Sequence, residues 1–367
     1  MVEKQVLDCP ILVVVDHEGT PMDGYSLTKA STEVLTLARG LTSKDVVALP
    51  LNIAPDIDQI RRFGANMMLM PQFGEFTPRV AAVVADCVEA AVESLVHRDM
   101  APCLILCVSN YRGKELAGRV AVRLGSASSA DVSSVRIEGG QLKAQRRVLS
   151  GTWVTTFAPH MPVAGLAAGG NSEGAEGLEG LEGTAEAGLG DRGASARVAP
   201  PILAIAPGSV VAQEQPVELV SHALDVDFRA ASRAVAVEHT HLHPKHGPAL
   251  TEAPVVVCVG RGVNGDVSGA QALAELTGGA LGATRVAADE GWVDRTVQIG
   301  QTGVNVSPRV YVGLGVSGAV HHTTGIQGAE KIVAICDDAE APIFEIADLG
   351  VVGAVEDVLP AVLENLS

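Results

Sequence analysis

The sequence predicts an α/β protein of two domains, each a mostly parallel sheet flanked by helices. Short continuous apolar runs, beginning with Ile11–Val15, alternate with helical stretches from the start of the chain. Buried runs joined by crossover helices make parallel sheets. The 367 residues are 47% hydrophobic but only 3% aromatic, so the apolar content is mostly Val, Ala, Leu and Ile. That mix suits strands buried on both faces and Ala-rich helices, and the length suits two domains of ordinary size.

The strand Ile11–Val15 is followed by a helix over residues 26–41 and a strand over 46–49. A helix over 77–95 leads to a strand over 103–108, and 114–124 reads as another helix. Past Asp131 the pattern changes to short extended pieces, 133–137 and 152–157. Residues 164–200 are dominated by Gly, Ala and Glu, with Glu173, Glu176, Glu179 and Glu182 recurring at every third position. The repeat contains no Pro, so it is not collagen-like. It can bury no core, and a disordered loop inserted between two strands is expected. Sheet-like sequence resumes at 202–206, and the first domain is expected to span 1–237.

Residues 238–250 form a junction carrying His239, His241, His243 and His246. Alternate positions of an extended chain face one side and could bind a metal, but no Cys accompanies them, and a solvated linker is the blander reading. No metal site is expected. From 251 to 367 a second α/β unit follows, with strands at Val255–Val259, 310–316, 331–335 and 343–346.

Acidic side chains outnumber basic ones 43 to 26, for a net charge of -17. A field of that sign repels phosphate backbones and anionic lipid, which disfavours nucleic-acid and membrane-surface roles. The six cysteines, Cys9, Cys87, Cys103, Cys107, Cys258 and Cys336, include no CxxC pair. They read as small buried hydrophobes of a reducing compartment and not as a disulfide framework. With no signal or transit pattern and no apolar stretch approaching the ~20 residues of a bilayer span, a soluble cytoplasmic protein without direct membrane insertion is expected.

Chemistry is concentrated in the glycine loops of the second unit. Val255–Val259 runs into Gly260-Arg261-Gly262-Val263-Asn264-Gly265, formally GxGxxG after a strand. That pattern lets a pyrophosphate approach a helix N-terminus, and Asp289 could be the ribose-binding acid. An NAD(P)-dependent dehydrogenase is one reading of it. Three more loops follow: Gly282-Ala283-Thr284-Arg285 with Asp289-Glu290-Gly291-Trp292, then Gln298-Ile299-Gly300-Gln301-Thr302-Gly303, then Gly315-Val316-Ser317-Gly318-Ala319-Val320-His321-His322. Each places amides, hydroxyls and a basic group at a strand end, where open sheets bind ligands. Singly, each could be a tight turn or a helix cap.

In order and spacing these loops resemble the C-terminal FAD domain of the electron transfer flavoprotein alpha subunit. The likeness is specific from Val255 to the end and looser before residue 157. It implies a doubly wound FAD-binding unit, with no catalytic residue and no substrate of its own. Arg261 would meet the pyrophosphate, and Thr284, in place of the usual Ser, would donate to a phosphate. Arg285 would set its guanidinium against the isoalloxazine, with Thr302 near flavin N5 or O4. Gln298, Ile299, Gly300 and Gln301 belong to the same loop. Gly315, Val316, Ser317, Gly318, Ala319, Val320 and His321 would supply backbone donors at a helix N-terminus, and His322 would approach the flavin C2 carbonyl.

A cation at ~4 Å in an effective dielectric near 20 stabilises reduced flavin by about 4 kcal/mol, which favours one-electron steps. Cys336 stands where the family usually has Asn near the adenosine, and Ala354 where some members carry Asp. These departures motivate a third reading, a flavin-free scaffold subunit.

The resemblance further implies a heterodimer with a beta subunit carrying AMP or a second FAD. Electrons would come from flavin dehydrogenases, such as those of fatty acid oxidation, and pass to a quinone oxidoreductase. Outside these loops, no GxSxG, HExxH or Walker lysine loop occurs. His17, His97, His160 and His222 are expected in surface or capping roles, and Asp16 in a turn or, as the alternative, facing a partner subunit.

Overall fold

A computed structural model describes residues 5–20, 22, 24–148, 153–161, 199–238 and 247–366. The Glu-rich segment, apart from residues 199–200, and the four clustered histidines lie outside them. The chain divides into two compact units. The first comprises Met1–Arg146, Thr156–Ala206 and Ala212–Val237, and the second Arg147–Thr155, Pro207–Val211 and Glu238–Ser367.

The elements up to residue 237 run β1 (Ile11–Val15), β2 (His17–Thr20), β3 (Gly24–Leu27), α1 (Lys29–Leu41), β4 (Val46–Pro50), α2 (Ile57–Arg62), β5 (Met67–Pro71), α3 (Ala81–His97) and β6 (Leu104–Val108). They continue as α4 (Tyr111–Leu124), β7 (Ser128–Glu138), β8 (Gln141–Val148), β9 (Trp153–Phe157), β10 (Ile202–Ile205), β11 (Val220–Leu224) and α5 (Ala230–Arg233). One nine-stranded sheet has the order β11-β5-β4-β1-β6-β10-β7-β8-β9, parallel from β11 through β7 and antiparallel between β7 and β8. Side chains of β1 alternate between two cores, Leu12 and Val14 in one, Ile11, Val13 and Val15 in the other. A period of two with both faces covered explains why the run is uniformly apolar.

Several boundaries differ from the sequence reading. Residues 24–27 pair with 17–20 in a hairpin, and α1 starts only at Lys29, after Thr28 accepts from Ser31 N at 3.2 Å. The helix expected from 77 starts at Ala81, because Pro78 disfavours helical backbone at Thr77 and residues 77–80 form a turn instead. Conversely α4 begins at Tyr111, since Asn110 caps it by accepting from Gly113 N at 2.8 Å. Asp16 holds that end of α4 to β1, accepting from Asn110 Nδ2 and Arg112 Nη1, both at 3.2 Å, and is no simple turn residue.

The expectation of unpaired cysteines is corrected at one pair: Cys9 and Cys103 form a disulfide. Each immediately precedes or flanks the start of a neighbouring parallel strand. The register Ile11↔Leu104 brings their Cα atoms to 5.9 Å, within reach of a disulfide. Cys87, Cys107, Cys258 and Cys336 are free and buried, as expected.

In the second unit the elements are β12 (Val255–Val259), α6 (Ser268–Leu276), β13 (Ala280–Ala283), α7 (Arg285–Asp289), β14 (Val310–Leu314), α8 (Val320–Thr323), β15 (Lys331–Cys336), α9 (Ile343–Ile346), β16 (Leu349–Val352) and α10 (Val355–Leu366). The sheet is wholly parallel, in the order β13-β12-β14-β15-β16. Val256 and Cys258 enter one core, Val257 and Val259 the other. Residues 343–346, expected as a strand, form the short helix α9 after Pro342, and the edge strand is β16 instead. Pro pre-sets a helical φ and cannot donate to a ladder, which accounts for the exchange.

Candidate functional site

The chain winds from β12 outward to β13 and then returns to the other side of β12 as β14. Strand order reverses between β12 and β14, and beyond the carboxyl ends of such strands a crevice opens. The loops at these two ends touch. Gly260 N donates to Leu314 O at 2.8 Å and Gly262 N to Gly315 O at 3.0 Å. A Cβ on Gly262 would lie 2.7 Å from Gly315 Cα, and Gly315 itself is left-handed at φ +64°. These glycines therefore serve the contact between two loops. The chain after Gly260 makes a single 3₁₀ turn, Arg261–Val263, and α6 starts only at Ser268. The GxGxxG loop thus does not open directly into a helix, which removes the geometry on which the dehydrogenase reading depended.

A cavity of about 710 Å³ lies over these strand ends. Sixteen of the seventeen residues expected at the site line it; the exception is Val320, whose side chain on α8 is 62% exposed. Its walls also take in Gly260, Gly262, Asn264, Val286, Asp337 and Asp338. The two aspartates directly follow β15, and their place beyond a strand's carboxyl end was the signal available for them. Ala354 does not line the cavity; its carbonyl accepts from Asp357 N and Val358 N at the start of α10.

Each wall is built by local structure. Thr284 caps α7, accepting from Ala287 N at 3.4 Å, which leaves its hydroxyl proton free to donate. Arg285 Nε meets Asp289 at 3.2 Å and Arg295 Nη2 meets the same carboxylate at 2.6 Å, so Asp289 is occupied by two guanidinium groups. Gln298, 7% exposed, donates from Nε2 to Thr302 Oγ1 at 2.9 Å and aims the Thr302 hydroxyl proton elsewhere. Gln301 and His321 are joined twice, by Gln301 N to His321 O at 2.7 Å and by His321 Nδ1 to Gln301 Oε1 at 2.5 Å.

Among the described residues, the backbone N–H groups of Val316, Ser317, Gly318 and Ala319 have no acceptor within the chain. Val316 and Gly318 are buried, Ser317 and Ala319 are exposed, and all four residues line the cavity. The helix that follows, α8, is a single turn of four residues.

His322 is 7% exposed and engaged at both ring nitrogens: Nδ1 is 3.1 Å from Ile299 O, and Nε2 is 2.7 Å from Tyr311 Oη and 3.8 Å from Cys258 Sγ. Burial pushes its pKa down to about 4, offset in part by the Ile299 carbonyl. Tyr311 was not singled out in the sequence, where it reads as one more core residue of a strand. Among the described residues no group of three His, Cys, Asp or Glu side chains is placed to hold a metal. No helix among them is long and apolar enough to cross a membrane.

Residues 11–177 match the electron transfer flavoprotein domain, and residues 249–327 match the electron transfer flavoprotein FAD-binding domain. Over 363 residues the chain is 34% identical to an electron transfer flavoprotein subunit alpha of Mycobacterium leprae, covering 97% of each. The chain belongs to the electron transfer flavoprotein alpha-subunit family. A subunit of the same name from Bacillus subtilis is 27% identical over 316 residues, 86% of this chain and 84% of the relative. A mitochondrial electron transfer flavoprotein subunit alpha of Dictyostelium discoideum reaches 43% identity over 131 residues, 35% of this chain and 37% of the relative. Electron transfer flavoprotein alpha subunits are thus similar along nearly the whole chain.

Proposed function

We propose that this chain binds FAD in the cavity over β12–β15 and, paired with a beta subunit, carries electrons from flavin dehydrogenases to a quinone oxidoreductase. It has no substrate of its own. The observation that carries this reading is the loop 316–319: its four residues line a cavity that also takes in Arg261 and Arg285, and among the described residues their backbone N–H groups have no acceptor. Such a set of fixed donors and cations suits a ligand with a pyrophosphate and an electron-rich ring edge. The match of residues 249–327 to an FAD-binding domain supports the same ligand.

Bound there, FAD supplies the electron exchange, and the chain supplies binding and electrostatics. Arg261 and the hydroxyl of Thr284 hold phosphate oxygens. Arg285 places positive charge near the ring, and the N–H groups of 316–319 donate to oxygens without reorganising. Gln298 orients Thr302. Cys336 takes the adenosine end, where its thiol is a weak donor and backbone groups do more of the work.

Co-expression with the beta subunit and an absorption spectrum of the purified complex test this. Visible flavin bands, with FAD released on denaturation, are the expected result. A colourless, well-folded complex overturns it in favour of a scaffold subunit. Rapid bleaching of the flavin by NADH alone would instead show hydride chemistry that the carrier reading excludes.

A further inference from the structure

We propose that Tyr311 is a positioning residue that fixes His322 as an uncharged imidazole with its one ring proton on Nδ1. Only the consequence of this arrangement rests on the reading that the cavity holds a flavin; the arrangement itself stands on hydrogen bonding. Ile299 O can only accept, so the ring nitrogen 3.1 Å from it, Nδ1, carries hydrogen. With Nδ1 protonated, a neutral ring has a bare lone pair on Nε2. Tyr311 Oη lies 2.7 Å from that atom and donates its proton to it. The alternative assignment, with Nε2 protonated and Nδ1 bare, would set a lone pair against a carbonyl oxygen in a buried place.

Neighbouring groups agree. Tyr311 is fully buried on β14, and Cys258, also fully buried, approaches from β12. Burial raises the tyrosine pKa well above its ordinary value and pushes the thiol up to about 12, so both remain neutral. No charged group contributes to the depressed pKa of His322, which comes from burial first. A hydrogen bond donated to the neutral ring's lone pair disfavours protonation further.

The consequence concerns how the cavity stabilises negative charge. Any hydrogen bond from His322 to a cofactor carbonyl has to come from Nδ1–H, shared with Ile299 O, and carries no full positive charge. Cationic stabilisation then falls to the arginines. Tyr311 touches neither cavity nor cofactor, being absent from the cavity lining, and acts through the imidazole.

The test is two-bond ¹⁵N–¹H correlation on the histidine-labelled complex of both subunits, with His322→Gln assigning the signal. The wild-type signal is expected to show Nδ1–H and a bare Nε2 at pH 7, unchanged down to pH 5. In Tyr311→Phe the midpoint is expected to rise by at least one pH unit, tenfold in the protonation constant, because the donor to the neutral ring is gone. An Nε2–H tautomer or an imidazolium in wild type overturns the proposal. So does an identical titration in Tyr311→Phe, the outcome a purely structural role predicts. Should that variant not fold, the wild-type tautomer and its titration decide alone. The tautomer is read whether or not flavin is present, and the absorption spectrum of the same sample reports flavin separately.

Discussion

Arg285 and His17 are both half-satisfied by the protein, and each half-satisfaction predicts a measurable behaviour. The guanidinium of Arg285 lines the cavity, yet its Nε pairs with Asp289 and its side chain is 72% exposed. Solvent and Asp289 screen it, so its effect on a bound flavin belongs at the low end for a cation. Arg285→Ala is expected to lower the flavin's one-electron potential by about 60 mV, the equivalent of ~1.4 kcal/mol, with FAD content little changed. Potentiometric titration of both proteins checks this, and potentials agreeing within about 15 mV would take Arg285 out of the site.

His17 accepts from Asp56 N at 3.2 Å through Nε2, so its proton sits on Nδ1, which is buried without a partner. Desolvation, opposed by the nearby Asp16 and Asp56, holds its pKa down to about 4. The unfolded chain therefore binds more protons than the folded one between about pH 6.5 and 4, and stability falls as pH drops through that window. His17→Gln is expected to reduce the acid sensitivity by about 1–3 kcal/mol at pH 4, read from urea midpoints at pH 7 and pH 4.

At the scale of elements, two loop ends touching over a parallel sheet decide where the cavity lies. The contact between Gly262 and Gly315 leaves no room for a side chain, and Gly315 also needs a left-handed φ. Gly315→Ala is expected to destabilise the second unit by about 1–3 kcal/mol and to strip the complex of most of its flavin, because the backbone donors that follow it shift. Thermal melts and the ratio of flavin to protein absorbance measure both effects. A variant that keeps its flavin and melts with the wild type would show that the two loops are not coupled. GxGxxG is shared by loops that open a nicotinamide-binding helix and by loops that need close backbone approach, so the spacing alone does not select a dehydrogenase.

For the whole molecule, the Cys9–Cys103 disulfide closes a loop across a sequence separation of 94 residues. Loop-closure entropy for that length corresponds to roughly 4–5 kcal/mol in the chain-entropy picture. Cys103→Ser is accordingly expected to lower stability by a few kcal/mol under oxidising conditions, and reduction to weaken the wild type by a similar amount. Alkylation in denaturant followed by intact mass should count four thiols without reductant and six with it, since four of the cysteines are free. Six thiols without reductant would show the pair unbonded. The net charge of -17 has no bearing on the fold.

The sequence by itself determined the α/β class, because strands buried on both faces must be uniformly apolar, as Ile11–Val15 and Val255–Val259 are. It also determined most of the cavity lining, since ligand loops in such sheets follow strand ends and their polar, glycine-rich composition stands out there. Local chemistry decided the exceptions at element ends: Thr28 and Pro78 delay helices, and Pro342 turns an apolar run into α9. Only the tertiary structure decided what depends on residues distant in sequence. Cys9 meets Cys103 because β1 and β6 are neighbours in the sheet. Tyr311 looks like any apolar strand residue until β14 places its hydroxyl 2.7 Å from His322. Periodicity reports which face of an element is buried, but not which polar atom waits on the other side of the core.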